Sequence, residues 1–151
     1  MKKFPEQMVL KFNDPRYFSI VKKNTELLAR RMGFNENRIF DLAMAVEEAY
    51  VNAIEHGGKG SELNLKVEFL VYPDRLEISV SDTGCGFDLT RIEIPKTLKN
   101  LEGVRGRGLG LIKRLSDRFV LSSVPGSGTL IKIIKFVSSR RARKSMSLEN
   151  I

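Results

Sequence analysis

Three short stretches of the chain carry side chains that could do chemistry together. Glu48-Ala49-Tyr50-Val51-Asn52 sets a carboxylate four residues before an amide. Asp82-Thr83-Gly84-Cys85-Gly86-Phe87 sets an aspartate ahead of two glycines, and Gly106-Arg107-Gly108-Leu109-Gly110 repeats glycine at every second position. On a helix, residues i and i+4 are neighbours, so Glu48 and Asn52 can serve one ligand. An amide oxygen suits Mg²⁺, which takes oxygen ligands, keeps several waters and adds few protein groups to the oxygens of a bound phosphate. Glu48 would then stand one turn away to act on a proton. A carboxylate at Asp82 could accept a hydrogen bond from an exocyclic amine such as that of adenine, and Gly84 and Gly86 let backbone approach a ligand closely. The third stretch immediately precedes an amphipathic helical pattern, where backbone N–H groups and the helix N-terminus favour phosphate. Together these are the groups that a magnesium–nucleotide site needs. No phosphate loop of the form GxxxxGK(S/T) occurs, so a nucleotide must be held in another way. The GxGxG spacing, with no strand before it, also excludes a dinucleotide-binding fingerprint.

Each stretch taken alone also reads as ordinary structure. Glu48 and Asn52, with Asp41 and Glu55, point roughly opposite an apolar stripe and could form a solvated helix face. Aspartate and glycine after a strand are usual turn residues. The glycine repeat could be a hinge. Cys85, between two loop glycines, reads as a small tolerated side chain rather than a redox group.

The elements that must position these residues follow from local pattern. Residues 8–12 form a first strand. Asn13 or Asp14 can cap a helix with Pro15 in its first turn, running to about Met32 and ending at Gly33. Asn35 caps a second helix, where Ile39, Leu42, Val46, Ala49, Tyr50 and Ala53 recur at three- and four-residue steps until Gly57-Gly58. Leu63, Leu65, Val67, Phe69 and Val71 alternate with polar residues, and Pro73-Asp74 turns the chain into Leu76, Ile78 and Val80, a hairpin. Asp88 to Arg105 has no sustained period and suits a functional loop. A short helix covers Leu109 to Leu115. Arg118–Val124 and Thr129–Val137 close the chain as a hairpin around Pro125-Gly126-Ser127-Gly128. The expected fold is α+β, a two-layer sandwich with helices on one face of a mixed, mainly antiparallel sheet.

Composition narrows the setting. A chain of 151 residues with 42% hydrophobic content suits a single core. Residues 1–137 are expected to form that domain, and 138–151 a basic tail without aromatic platforms for single-stranded nucleic acid. The formal charge of +8 admits an acidic partner or nucleic acid, but the second rests on charge alone. No secretory signal, no membrane span and no membrane partner are expected. One cysteine cannot make an internal disulfide, which fits the reducing cytoplasm.

Glu48-Ala49-x-x-Asn52-Ala53-x-x-His56-Gly57, Asp82-x-Gly84-x-Gly86-Phe87 and Gly106-x-Gly108-Leu109-Gly110-Leu111 resemble the N box and the two glycine boxes of the Bergerat-fold (GHKL) ATPases. That superfamily includes type II topoisomerases, MutL-type repair proteins and histidine kinases. Gly126-x-Gly128-Thr129 is similar to its closing glycine–threonine element, so the resemblance spans about residues 8–137. The compact size and the wording of the first motif most resemble the bacterial anti-sigma-factor serine kinases. Those proteins use ATP to phosphorylate a serine on an antagonist, and bind a sigma factor when the antagonist does not occupy them. Carried over, the resemblance implies Asn52 as Mg²⁺ ligand, Glu48 as general base, and Asp82 on the adenine amine with Thr129 in the same hydrogen-bond network. Gly84, Gly86, Gly106, Gly108, Leu109 and Gly110 would shape the pocket, Arg105 and Arg107 would flank the phosphates, and Asp88–Arg105 would be a lid. His56, the sole histidine, sits at a helix end and suits the helix dipole better than a phosphoacceptor role, which argues against a self-contained histidine kinase. The resemblance also admits a homodimer, without indicating its surface. The alternative within the same fold is an ATP/ADP-gated protein-binding module with little or no transfer activity.

Overall fold

A computed structural model describes residues 3–57, 63–86 and 107–140, without the Arg107 side chain. The expected irregular stretch from Asp88 to Arg105, together with Gly106 and most of the basic tail, lies outside these residues.

The chain opens with strand β1 (Glu6–Phe12). Asp14 then accepts from the Arg16 backbone N–H at 2.9 Å, and Pro15 enters a short 3-10 turn that delivers the chain into helix α1 (Phe18–Arg31). Helix α1 stops where expected and for a definable reason. Gly33 adopts φ +90°, which lets its own N–H reach Arg30 O at 3.1 Å and the Phe34 N–H reach back to Ala29 O at 3.0 Å. Asn35 Oδ1 accepts from the Arg38 N–H at 2.9 Å and starts helix α2 (Glu36–His56). Every member of the sequence stripe, from Ile39 to Ala53, is buried. Strands β2 (Leu65–Val71) and β3 (Arg75–Asp82), helix α3 (Arg107–Leu115), and strands β4 (Arg118–Val124) and β5 (Gly128–Phe136) follow.

The described strands form one sheet in the order β1-β2-β3-β5-β4. All four pairings are antiparallel, so no parallel pair occurs among the described strands, where the sequence allowed a mixture. The register sets Val67 opposite Val80 and Val80 opposite Ile131, with Phe69, Ile78 and Ile133 in the next row. These rows and the buried stripe of α2 belong to one core, so the helices cover one face of the sheet. Tyr50 ties α2 to the first turn by donating to Pro15 O at 3.1 Å. Its burial pushes the phenol up to about 12, with Asp14 adding to the shift.

One boundary differs from expectation in a way that matters. Helix α3 begins at Arg107, so Gly108 and Gly110 lie inside a helix rather than in a loop ahead of it. Glycine is a poor helix former, and the reason for it here is tertiary. A Cβ at Gly108 would lie 2.9 Å from Glu48 Oε2 on α2. The atom it would meet is the tip of a flexible carboxylate, so this glycine leaves room for the Glu48 side chain where it now lies.

Candidate functional site

The site has two ends. At the first, Asp82 closes β3 and is 6% exposed, on the helix-covered side of the sheet. Its carboxylate Oδ1 accepts from the Gly84 N–H at 2.9 Å, and its register partner on β5 is Thr129. Burial holds the Asp82 carboxyl above its usual range, while the Gly84 and Thr129 amides and His56 pull it back in part. When ionised, this carboxylate is a strong acceptor, able to take a hydrogen bond from a donor such as an exocyclic amine but not from a carbonyl.

Backbone contacts fix this end. A Cβ at Gly57, just after α2, would lie 2.8 Å from Asp82 Cβ. A Cβ at Gly84 would lie within 2.6 Å of the Gly57 backbone, and one at Gly128 would collide with the Asp82 carbonyl. Three segments therefore meet without side chains between them. The Gly126 N–H also donates to Cys85 O at 2.6 Å, locking the β4–β5 turn onto the Asp82 loop. Thr129 Oγ1 and Ser123 Oγ share a hydrogen bond of 2.9 Å, and Ser123 donates to Gly128 O at 3.1 Å. A shallow depression here is lined by Asp82, Ser123, Gly128 and Thr129 with Ser81 and Ser122.

Ser123 was not singled out in the sequence, although the alternation Phe119, Leu121, Ser123 puts it on the core face of β4 and could have flagged it. Gly57, a helix stop and the last residue of the first motif in the sequence, also makes this close contact with Asp82. Cys85 is exposed, with Sγ 3.7 Å from His56 O.

At the second end, Glu48 and Asn52 do not form a solvated face. Helix α3 packs over α2, Glu48 is half-buried beneath Gly108, and Asn52 Nδ2 is buried with no hydrogen-bond partner among the described residues. An amide nitrogen and oxygen exchange places by a half-turn of the last side-chain torsion. The Asn52 amide therefore presents one buried polar atom for which the described residues supply no partner. Among the described residues no three His, Cys, Asp or Glu side chains converge on a metal site. A cation at this end would take one amide oxygen from Asn52 and the rest of its shell from phosphate and water, a donor set that fits Mg²⁺ and not a fully protein-built cage.

The structure thus brings Asp82, Gly84, Gly86 and Thr129 together at one end, and Glu48, Asn52 and Gly108 at the other. Leu109 is buried in the core and Gly110 is buried within α3, so both act through packing of that helix. Arg107 contributes its backbone to the α3 N-terminus, and Arg105 and Gly106 lie outside the described residues. No helix among the described residues is long and apolar enough to cross a membrane.

Comparison with known proteins bears on the family and the fold. The profile of the family described as "Histidine kinase-like ATPase domain" matches residues 13–135. "Serine-protein kinase RsbW" of Bacillus pumilus is 34% identical, over 90% of this chain and 88% of its own. The protein of the same name from Listeria monocytogenes is 32% identical over 87% of each chain, and that of Bacillus velezensis 30% identical over 91% and 89%. Among solved structures, the histidine kinase domain of the Erythrobacter litoralis EL346 blue-light activated kinase superposes with a TM-score of 0.53. It is 15% identical, matching 85% of this chain and 63% of that one, which bears on the fold alone. With five antiparallel strands under α1–α3 and the RsbW proteins similar along nearly its whole length, the chain belongs to the histidine kinase-like ATPase family, alongside the RsbW serine-protein kinases.

Proposed function

We propose that the chain is a Mg²⁺- and ATP-dependent protein serine kinase, with residues 1–137 as its catalytic unit. The observation that carries the proposal is Asn52 Nδ2, buried and without a partner among the described residues, one turn from the Glu48 carboxylate that lies under Gly108 of α3. The kinase activity is supported by the RsbW relatives, which bear the name serine-protein kinase.

In this reading Asp82 accepts from the adenine amine, and the Thr129–Ser123 hydroxyl pair keeps the base end ordered. The backbone N–H groups at the start of α3 face the phosphates. Asn52 would hold Mg²⁺, which when bound neutralises charge on the phosphate oxygens. Glu48 takes the proton from the attacking serine hydroxyl. Phosphoryl transfer asks mainly for positioning and charge stabilisation, so one carboxylate with these groups suffices.

The partners we propose are a sigma factor and a serine-bearing antagonist protein, exchanged by phosphorylation of the antagonist, in the cytoplasm. A homodimer is part of the same proposal and is open to sedimentation analysis. The test of the core proposal is transfer of labelled phosphate from ATP to a serine-bearing partner. Transfer is expected with wild type and Mg²⁺, and not with chelator. A purified protein that binds ATP but labels no partner under any condition would leave a binding module in place of a kinase.

A further inference from the structure

Among the described residues Lys135 alone of the lysines is buried, at 4% exposure. It shares the core face of β5 with Thr129, Ile131 and Ile133, where alternation would normally place an apolar side chain. Its ammonium donates to the carbonyl of Leu115, the last residue of α3, and lies 3.6 Å from Asp41 Oδ2 on α2. A lysine at a helix C-terminus satisfies an end carbonyl and complements the dipole.

The surroundings are equally fixed. Arg38 of α2 pairs with Asp117, which follows α3, and donates to Phe136 O at 3.0 Å. Asp117 in turn accepts from the Phe136 N–H at 2.7 Å. These contacts join the start of α2, the end of β5 and the end of α3. Burial, with Arg38 nearby, holds the Lys135 ammonium below its ordinary pKa, while Asp117 and Asp41 oppose the shift.

A buried ion pair is weak support for stability, since a well-packed apolar residue often serves as well. What an apolar residue lacks is direction. A desolvated ammonium is satisfied at one set of acceptors, so it fixes where the end of α3 sits along its axis. Helix α3 has nine residues and is therefore a rod of about 13 Å, short enough to carry that placement to its other end. The other end is where Gly108 meets Glu48.

We propose that Lys135, together with Asp41, is a positioning residue for the phosphate end of the site, setting the distance of the α3 N-terminus from Glu48. The proposal rests on the nucleotide reading above, and goes beyond it by giving a role to a cluster at the far end of α3 that touches no ligand.

Adenosine and Mg²⁺-ATP separate the two. Adenosine uses only the Asp82 end, whereas ATP also uses the end that α3 delivers. Lys135→Met should weaken ATP binding roughly tenfold and change adenosine binding by less than about twofold, since small misplacements at a distance carry large losses in a positioned site. Lys135→Arg, which restores a donor to Leu115 O and Asp41, should recover most of the ATP affinity. Asp41→Asn should act in the same direction as Lys135→Met but more weakly, and it remains informative if the methionine variant does not fold. ATP affinity unchanged in either folded variant, or a parallel loss of ATP and adenosine, would overturn the positioning role. A wild type that binds ATP no more tightly than adenosine would instead overturn the assignment of α3 to phosphates, and this proposal with it.

Discussion

Around Asp82 the backbone builds the site, whereas around Glu48 and Asn52 two helices do. Gly57, Gly84 and Gly128 bring the end of α2, the loop after β3 and the start of β5 into direct contact, with no side chain able to intervene. The Asp82 carboxylate meets amide donors from its own loop and from β5. At the other end Asn52 Nδ2 is buried without a partner among the described residues, and Gly108 of α3 lies over the Glu48 carboxylate. The difference teaches which half is complete before a ligand arrives. The Asp82 end is pre-formed, and the other end carries a buried donor, Asn52 Nδ2, that the described residues leave without a partner. Chemistry and recognition should therefore come apart on mutation.

The largest expected effect is on transfer alone. Glu48→Gln keeps size and removes the base, so phosphate transfer should fall by about 10²–10⁴-fold. Nucleotide affinity should stay within a few-fold, because the glutamine keeps an acceptor beneath Gly108. Quench-flow transfer rates beside equilibrium titration check both halves. Wild-type transfer in this variant would mean that the base lies elsewhere.

Next in size is the pre-formed end. Gly84→Ala places a methyl group against the Gly57 backbone, and the neighbours are main chain that cannot swing aside. Overpacking of this kind costs about 1–3 kcal/mol. Because the strain falls on the loop that aims Asp82, adenosine and ATP binding should weaken together. Urea unfolding and the two titrations test it. Selective loss of ATP, with adenosine retained, would blur the distinction between the ends.

Asn52→Leu sharpens the comparison from the other side. An orphaned buried polar group costs about 1–3 kcal/mol, and an apolar residue of similar shape does not. The ligand-free variant should thus be as stable as wild type or more so, by about 1 kcal/mol. Stabilisation by ATP, which reaches about 2.7 kcal/mol at a hundred times Kd, should lose its dependence on Mg²⁺. Thermal shifts with and without EDTA give the answer. A destabilised ligand-free variant would show that Asn52 serves the fold and not a ligand.

What the sequence revealed and what it hid follow one physical line. Asp14-Pro15, Gly33 and Asn35 act on backbone groups within a few residues, so their caps and stops were legible from type and spacing. The period-two strands and the stripe from Ile39 to Ala53 were legible for the same reason. Residues whose role depends on a distant segment were not. Gly108 looked like loop glycine because its contact, Glu48, is sixty residues earlier in the chain. Lys135 and Ser123 were not singled out at all, since what each side chain meets, Leu115 and Asp41 for the lysine and Thr129 for the serine, is set by the fold. The Glu48–Asn52 pair was visible, but only α3 lying over it distinguishes a buried amide from a wetted helix face.

The smallest expected effect is a tilt in the pH dependence of stability, and it comes from the pre-formed end. Burial is the largest influence on Asp82 and raises its pKa above the ordinary 3.8, so the folded protein holds that proton more tightly than the unfolded chain. Where the folded state binds more protons, stability falls as pH rises. Asp82 should therefore lower the stability of the ligand-free protein progressively from its ordinary pKa up through its raised folded one, and by a constant amount above that. Asp82→Asn keeps an oxygen for the Gly84 N–H but carries no charge to desolvate. The variant should be the more stable protein near pH 7, with the gap narrowing toward about pH 4 as the wild-type carboxyl takes up its proton. The same substitution turns a donor toward the adenine amine, so the preference for ATP over GTP in thermal-shift titrations should vanish. Urea midpoints for both proteins across that range decide the first point. Parallel curves would mean that Asp82 is no more desolvated in the folded protein than in the unfolded chain, and the base end would then lose its claim to an acceptor held ready against the cost of burial.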